Sequence, residues 1–212
     1  MTPERVILTD CDGVLCNWDK GFNSFAQSKG FSMSPETEHH YSITSRFNVS
    51  FQKAAQLVEE FNSSTGISNL EPMADAVEYV HRLSEDGFKF IVVTAVGDSD
   101  LSKLYRAANL QALFGSAISE LYCLPVGTNK GIALGHWSES GYFWLEDHIQ
   151  QAEAGYEQGL RPILFSKPFN RIYSTPLFPR VSEETPWKDL YKIVSGAYNS
   201  GHTHSVGSLP GY

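Results

Sequence analysis

Asp10-Cys11-Asp12-Gly13-Val14 closes the first apolar run of the chain, Arg5-Val6-Ile7-Leu8-Thr9. In an extended strand the side chains alternate between faces, so this pattern predicts Asp10 and Asp12 on one side and Cys11 on the other. Two neighbouring carboxylates repel, and one then holds a proton unless a cation lies between them. Such a pair suits a hard cation. It also suits a carboxylate nucleophile working beside a carboxylic acid. Taken alone, Asp-x-Asp-Gly reads equally well as an ordinary strand-to-loop turn.

Three further positions could join that chemistry. Thr94 ends the apolar run 88–94, Lys130 opens a helical stretch in Thr128-Asn129-Lys130-Gly131, and Glu146-Asp147 closes the run 142–146. Each has a plain structural reading beside the chemical one: a strand-ending Thr, a solvated Lys, and acids that cap the helix after them.

The elements that must position these residues are legible from periodicity. Five short runs, 5–9, 88–94, 118–124, 142–146 and 161–165, are rich in apolar residues, as parallel strands covered on both faces are. Helical spacings lie between them: Met73, Ala76, Val77, Val80 and Leu83; Leu101, Leu104, Tyr105 and Ala108; Ile149, Ala152 and Tyr156. Alternation of strand and helix predicts an α/β fold with a doubly wound parallel sheet, in which ligands bind outside the carboxyl ends of the strands.

The segment 16–70 breaks the alternation. Trp18, Phe22 and Phe25, then Phe51, Ala55, Val58 and Phe61, fall at helical spacing around a polar middle. The expectation is a small helical cap inserted after the first strand, with a core formed by 1–15 and 71–195. Thr185-Pro186-Trp187 reads as a helix start with Thr as N-cap, and Trp187, Leu190, Tyr191 and Val194 give that helix one apolar face. Residues 196–212, with His202 and His204 among Gly and Ser, read as a flexible tail.

Composition bounds the function. With 212 residues, 42% of them hydrophobic and 13% aromatic, the chain can bury one sizeable core. A net charge of −8 with no basic block argues against a nucleic-acid polymer or an anionic membrane surface as partner. A small anionic substrate stays open, because a bound metal reverses the local field. Cys11, Cys16 and Cys123 form no paired motif and leave an odd count, which reads as reduced thiols in a cytoplasmic protein. The start, Met1-Thr2-Pro3-Glu4, lacks the basic opening of a signal peptide, and no apolar run approaches the roughly 20 residues of a membrane span.

Asp10-x-Asp12, Thr94, Lys130 and Glu146-Asp147, in that order, resemble the four motifs of the haloacid dehalogenase (HAD) superfamily of aspartate-dependent phosphohydrolases, over about residues 5–172. The resemblance implies a HAD-like core. It gives Asp10 as nucleophile, forming an aspartyl-phosphate, and Asp12 as acid to the leaving oxygen and then base to water. Thr94 and backbone N–H groups near it, such as that of Ala95, would hold the phosphoryl oxygens, and Lys130 would balance the charge. It also implies Mg2+ on Asp10, the backbone carbonyl of Asp12, and Asp147. Glu146 would either share the metal through water or orient Lys130.

Within that superfamily, 10–15, the position of the cap, Leu70-Glu71-Pro72-Met73-Ala74-Asp75-Ala76 and 162–171 (Pro-Ile-Leu-Phe-Ser-Lys-Pro-Phe-Asn-Arg) resemble the 5′(3′)-deoxyribonucleotidases and their phage and bacterial relatives. The implied partner is a small phosphomonoester, by preference a (deoxy)nucleoside monophosphate. The alternatives are another small metabolite such as a sugar phosphate, or a HAD-fold binding protein without turnover. Two departures bear on specificity: Glu146-Asp147-His148 stands where that family has Asp-Asp-Arg, and Ala95-Val96 where it often has Ser-Pro. Cap aromatics would have to read the base. Phe47 and Tyr41 are the favoured candidates, with Arg46 for phosphate or sugar and His148 facing the substrate.

Overall fold

Strand β1, Val6–Thr9, is buried along its whole length and forms the centre of the fold. It pairs in parallel with two neighbours, so both its edges are satisfied. The computed structural model describes residues 5–37, 39–173 and 177–199.

After β1 the chain enters four helices: α1 (Trp18–Ser28), α2 (Ile43–Phe47), α3 (Phe51–Asn62) and α4 (Thr65–Ser68). It continues through α5 (Ala76–Glu85), β2 (Lys89–Thr94), α6 (Asp100–Phe114), β3 (Ile118–Cys123) and α7 (Gly131–Leu134). The last part is β4 (Phe143–Glu146), α8 (Ile149–Glu157), β5 (Arg161–Phe165), β6 (Arg180–Val181) and α9 (Pro186–Asn199).

All pairings are parallel and the sheet order is β3-β2-β1-β4-β5-β6. The chain winds outward from β1 to β3, then crosses back to place β4 on the other side of β1. The switch point therefore falls between β1 and β4, where a parallel sheet opens a crevice at its carboxyl end. Asp10 follows β1 there, and Glu146 ends β4. This is the doubly wound α/β fold that the alternation predicted. The sixth strand was not foreseen: two residues after Pro179 are too few to show a period, and only pairing to Leu164 and Phe165 defines them.

The aromatic residues of α1–α4 pack on one another. Trp18 stacks on Phe22 at 4.5 Å, and Phe22 meets Phe61 and Phe47 edge-on at 5.6 and 5.7 Å. This cluster runs on without a break into Val14, Leu15 and Leu70, and then into Val80, Val92 and Trp187 beneath the sheet. Trp187 of α9 donates its indole N–H to the carbonyl of Val14 at 2.9 Å, which ties the C-terminal helix to the loop after β1.

Three expectations need correction. In α6 the stripe Leu101, Leu104, Tyr105 and Ala108 is not the inward face: Leu101 is 51% and Leu104 61% exposed, while Ser102, Arg106 and Asn109 are buried. Its first turns dock by polar contacts with the helices before α5 and the loop after β1, while Leu110 and Phe114 further along bury into the main apolar cluster, so the spacing chosen from the sequence missed the inward face. Pro186 opens α9 as expected, but the N–H groups of Trp187 and Lys188 are accepted by the carboxylate of Asp75 at 3.3 and 3.0 Å, a long-range cap in place of Thr185. Finally, α9 continues to Asn199, so residues 196–199 are helix and not tail. The rest of the expected tail, with His202 and His204, lies outside the described residues. Among the described residues no helix is long and apolar enough to cross a membrane.

Candidate active site

Beyond Thr9 the strand geometry stops, and with it the alternation of faces. The carbonyl of Cys11 accepts N–H groups from Val14, Leu15 and Cys16, at 3.3, 2.8 and 2.9 Å, which curls residues 11–16 into a tight loop. Gly13 takes φ +81° in that loop, where a side chain would be strained. A Cβ there would lie 1.9 Å from Oδ2 of Asp147, so glycine is also required for the approach of the loop to β4.

Asp10 is fixed at both ends. Its N–H donates to the carbonyl of Leu145 at 2.8 Å, and its Oδ1 receives Nζ of Lys130 at 2.6 Å. Lys130 sits at the start of α7, its own N–H held by Gln151 Oε1 at 2.8 Å. Its ammonium also donates to Oε2 of Glu146 at 2.8 Å. Burial alone would neutralise this lysine, but Asp10 and Glu146 together outweigh it and hold the pKa above the ordinary lysine value.

Glu146 spends both oxygens within the protein. Oε2 accepts from Lys130, and Oε1 accepts the N–H groups of Asp147 and His148 at 3.1 and 3.0 Å. Of the two roles open to it from sequence, the geometry matches orientation of Lys130. Its pKa is pushed up to about 7, first by burial and then by Asp10.

Asp10, Glu146 and Asp147 are buried with carboxylate oxygens within 4.8 Å of one another. The carboxyl of Asp147 is held well above the usual range by burial, then by Glu146 and Asp10. Lys130 already satisfies Glu146 and one oxygen of Asp10, which leaves the other oxygen of Asp10 and the carboxylate of Asp147 as hard donors. The loop brings Gly13 against that same carboxylate, and the backbone of Asp12 with it. This all-oxygen set fits a cation such as Mg2+.

Asp12 does not share a partner with Asp10. Its Oδ1 receives Nη2 of Arg106 at 2.5 Å, and Nη1 of the same guanidinium contacts Cys11 Sγ at 3.0 Å. The expected turning of Cys11 away from the acids is thus corrected: one arginine touches both residues. Burial raises the Asp12 pKa to about 6 against the opposing pull of Arg106, and Asp10 adds to the rise.

Thr94 is fully buried at the end of β2, and its hydroxyl finds no hydrogen-bond partner among the described residues. An orphan hydroxyl at a strand end is costly unless a ligand completes it. Ala95 follows, half-buried.

The substrate-facing candidates separate. Tyr41 lies over the site, its ring 4.5 Å from His148 and 5.1 Å from Phe169. The residue is 59% exposed. Its hydroxyl is nevertheless held above the ordinary tyrosine pKa by lost solvation, and then by Asp147, Glu146 and Asp10. The imidazole of His148 is held below its usual pKa by burial and then by Lys130, and its Nδ1 is buried without a partner. Phe47 is instead buried against Phe22 inside the aromatic cluster, where no base can reach it. Arg46 is also corrected: its guanidinium is taken by Asp19 Oδ1 at 2.5 Å, Asn23 Oδ1 at 2.7 Å and Met33 Sδ at 3.5 Å, and it bridges α2 to α1.

Sequence reasoning missed three residues. Arg106 was hidden on the wrong face of α6, although Ser102, Arg106 and Asn109 do form a polar stripe at spacings of four and three. Asn170 donates to the carbonyl of Asp147 at 2.7 Å and to that of Phe165 at 2.8 Å, fixing the loop after β4. Lys167 brings a positive charge to Asp147. Both lie in the 162–171 stretch that had served only as a mark of resemblance.

No family model matches the chain. A stretch of 129 residues is 38% identical to an uncharacterized 32.4 kDa protein of Enterobacteria phage T4, covering 58% of this chain and 46% of that protein, so the match spans about half the length of that relative. Solved structures match nearly the whole chain. A haloacid dehalogenase-like hydrolase of Streptococcus pneumoniae superposes with a TM-score of 0.61 at 15% identity, over 91% of this chain and 100% of that one. A HAD family hydrolase of Deinococcus radiodurans with bound phosphate and sodium gives 0.60 at 15%, over 92% and 96%. The D,D-heptose 1,7-bisphosphate phosphatase of B. bronchiseptica, complexed with magnesium and phosphate, gives 0.55 at 11%, over 89% and 99%. A six-stranded parallel sheet with its acids at the switch point, superposing on these proteins end to end, has the fold of the haloacid dehalogenase-like hydrolases.

Proposed function

We propose that the chain is a magnesium-dependent phosphomonoesterase that works through an aspartyl-phosphate on Asp10, with (deoxy)nucleoside monophosphates as substrates. The observation that carries this reading is the bridge from Lys130 to Asp10 and Glu146 beside Asp147. It fixes a carboxylate nucleophile next to a permanent cation and a hard-donor set.

A carboxylate oxygen of Asp10 attacks phosphorus, and the bond from phosphorus to the ester oxygen breaks. Asp12, whose pKa is raised to about 6 so that it keeps its proton well above the ordinary carboxylate range, gives that oxygen its proton. Water then attacks the aspartyl-phosphate, Asp12 takes the proton, and the bond from Asp10 to phosphorus breaks. Lys130 balances the negative charge of Asp10 throughout, and the Thr94 hydroxyl has the free donor to hold a phosphoryl oxygen. Asp10, Asp147 and the backbone carbonyl of Asp12 would hold Mg2+, which when bound neutralises the equatorial oxygens.

The helices between β1 and α5 act as a cap in this reading, and they supply Tyr41 to the rim of the site. Tyr41, His148 and Phe169 favour a planar base over a sugar, because each offers a ring face or edge. Sugar phosphates are the second reading, supported by the heptose bisphosphate phosphatase among the similar folds and by Ala95 standing where a hydroxyl would serve a nucleotide. The free thiols Cys11, Cys16 and Cys123 suit a reducing, cytoplasmic setting. The test is phosphate release from deoxynucleoside, ribonucleoside and sugar monophosphates with and without Mg2+. Turnover confined to sugar phosphates would reject the nucleotide assignment and keep the chemistry.

A further inference from the structure

Arg106 has no part in the reaction as written, yet it is completely buried in α6. Its guanidinium forms an ion pair with Asp12 and touches Cys11, so one rigid fork spans two consecutive residues of the loop that carries the nucleophile. Among the described residues no other side chain forms a hydrogen bond or ion pair with the Asp12 carboxylate. One turn further along α6, Asn109 secures the far end of the same loop: its Oδ1 accepts from Cys16 Sγ at 3.2 Å and its Nδ2 donates to the carbonyl of Leu70 at 3.0 Å. The helix thus grips the loop at residues 11–12 and again at 16.

Stability alone does not account for this arrangement. A buried ion pair is commonly no better than an apolar pair of the same volume. Here the helix buries Leu110 and Phe114 in the apolar cluster, and yet the buried position against the loop is an arginine while Leu101 and Leu104 stand exposed. What a planar, two-pronged donor adds is direction: it fixes where the second oxygen of Asp12 points.

We propose that Arg106 is a positioning residue that aims the Asp12 carboxyl at the leaving-group oxygen. The inference rests on the phosphomonoesterase reading above. In the first half-reaction a proton is needed only by a poor leaving group, so in that step the arginine matters for alkyl phosphates and hardly at all for nitrophenyl phosphate, whose anion departs unaided.

The experiment compares wild type, Arg106→Gln, Arg106→Lys and Asp12→Asn on nitrophenyl phosphate and on an alkyl phosphomonoester at saturating Mg2+, with thermal unfolding measured on each. Misaiming an acid costs on the order of 10²-fold. The expected result for Arg106→Gln is therefore a kcat/KM, which reports only the steps up to the aspartyl-phosphate, about 10²-fold lower on the alkyl ester, with a change of under about 3-fold on nitrophenyl phosphate. Arg106→Lys, which keeps charge and most of the volume without the fork, shows the same split and guards against a glutamine variant that does not fold. Equal losses of kcat/KM on both esters, or no loss on either, overturn the positioning role and leave the phosphatase reading intact. A wild type inactive on both esters with Mg2+ overturns the two together.

Discussion

Lys130 Nζ stands 2.6 Å from Oδ1 of Asp10, and the same ammonium reaches Glu146 at 2.8 Å. One buried cation therefore holds Asp10, the proposed nucleophile, while Glu146 holds the cation. Lys130→Met leaves two buried carboxylates without a counter-charge. We expect kcat to fall by at least about 10²-fold and stability by about 3 kcal/mol, read from steady-state phosphate release and urea unfolding. Lys130→Met with near-normal kcat would mean that the bridge is only structural.

Gly13→Ala tests the contact between the loop and β4. The new methyl group would need φ +81° and would meet Asp147 Oδ2 at 1.9 Å. Asp147 must then move. Mg2+ affinity, measured by calorimetry, is expected to drop at least about 10-fold, with a loss of 1–2 kcal/mol in stability, about the cost of one strained backbone position. Unchanged metal affinity would place the cation away from Asp147.

Asn170→Ala removes the two donations that hold the carbonyls of Asp147 and Phe165. The Asp147 carboxylate keeps its identity but loses its support. Outer partners of this kind typically carry about 10- to 100-fold in metal affinity, and the same calorimetric titration reports it.

The pH dependence follows from Asp12 and Glu146. Both pKa values are raised on folding, to about 6 from 3.8 for Asp12 and to about 7 from 4.5 for Glu146. A raised acid binds its proton more tightly in the folded state. The stability this contributes is fully present below the ordinary carboxylate range and is lost as pH rises through about 6 and 7. In chelator, the melting temperature is expected to decline from pH 4 to pH 7, and Asp12→Asn should flatten the lower part of that decline. For an alkyl phosphate kcat/KM should also fall as Asp12 loses its proton above about pH 6, whereas for the nitrophenyl ester it should show no such limb. Parallel profiles for the two esters would remove Asp12 from the role of acid.

The sheet was legible because it rests on local signals, short apolar runs for β1, β2, β4 and β5, and so were the places of Asp10, Thr94 and Glu146 at strand ends and of Lys130 at the start of α7. What escaped the sequence depends on partners far along the chain. Arg106 meets Asp12 across 94 positions, and the polar stripe it forms with Ser102 and Asn109 carries no sign of that partner. Asp75 capping α9 is a contact of the same kind. Phe47 and Arg46 failed as ligand contacts for the opposite reason. Both lie in a stretch whose irregular pattern suggested a loop facing substrate, yet one short helical turn folds them into the aromatic cluster and onto Asp19.

The most direct measurement of the central claim is phosphate release from a panel of small phosphomonoesters, with and without Mg2+, by wild type and Asp10→Asn. The account predicts Mg2+-dependent turnover by wild type, within the common range of about 1–1000 per second for its best substrate, and none by the variant. Undiminished release by Asp10→Asn, or no release by the Mg2+-loaded wild type on any ester, would contradict it.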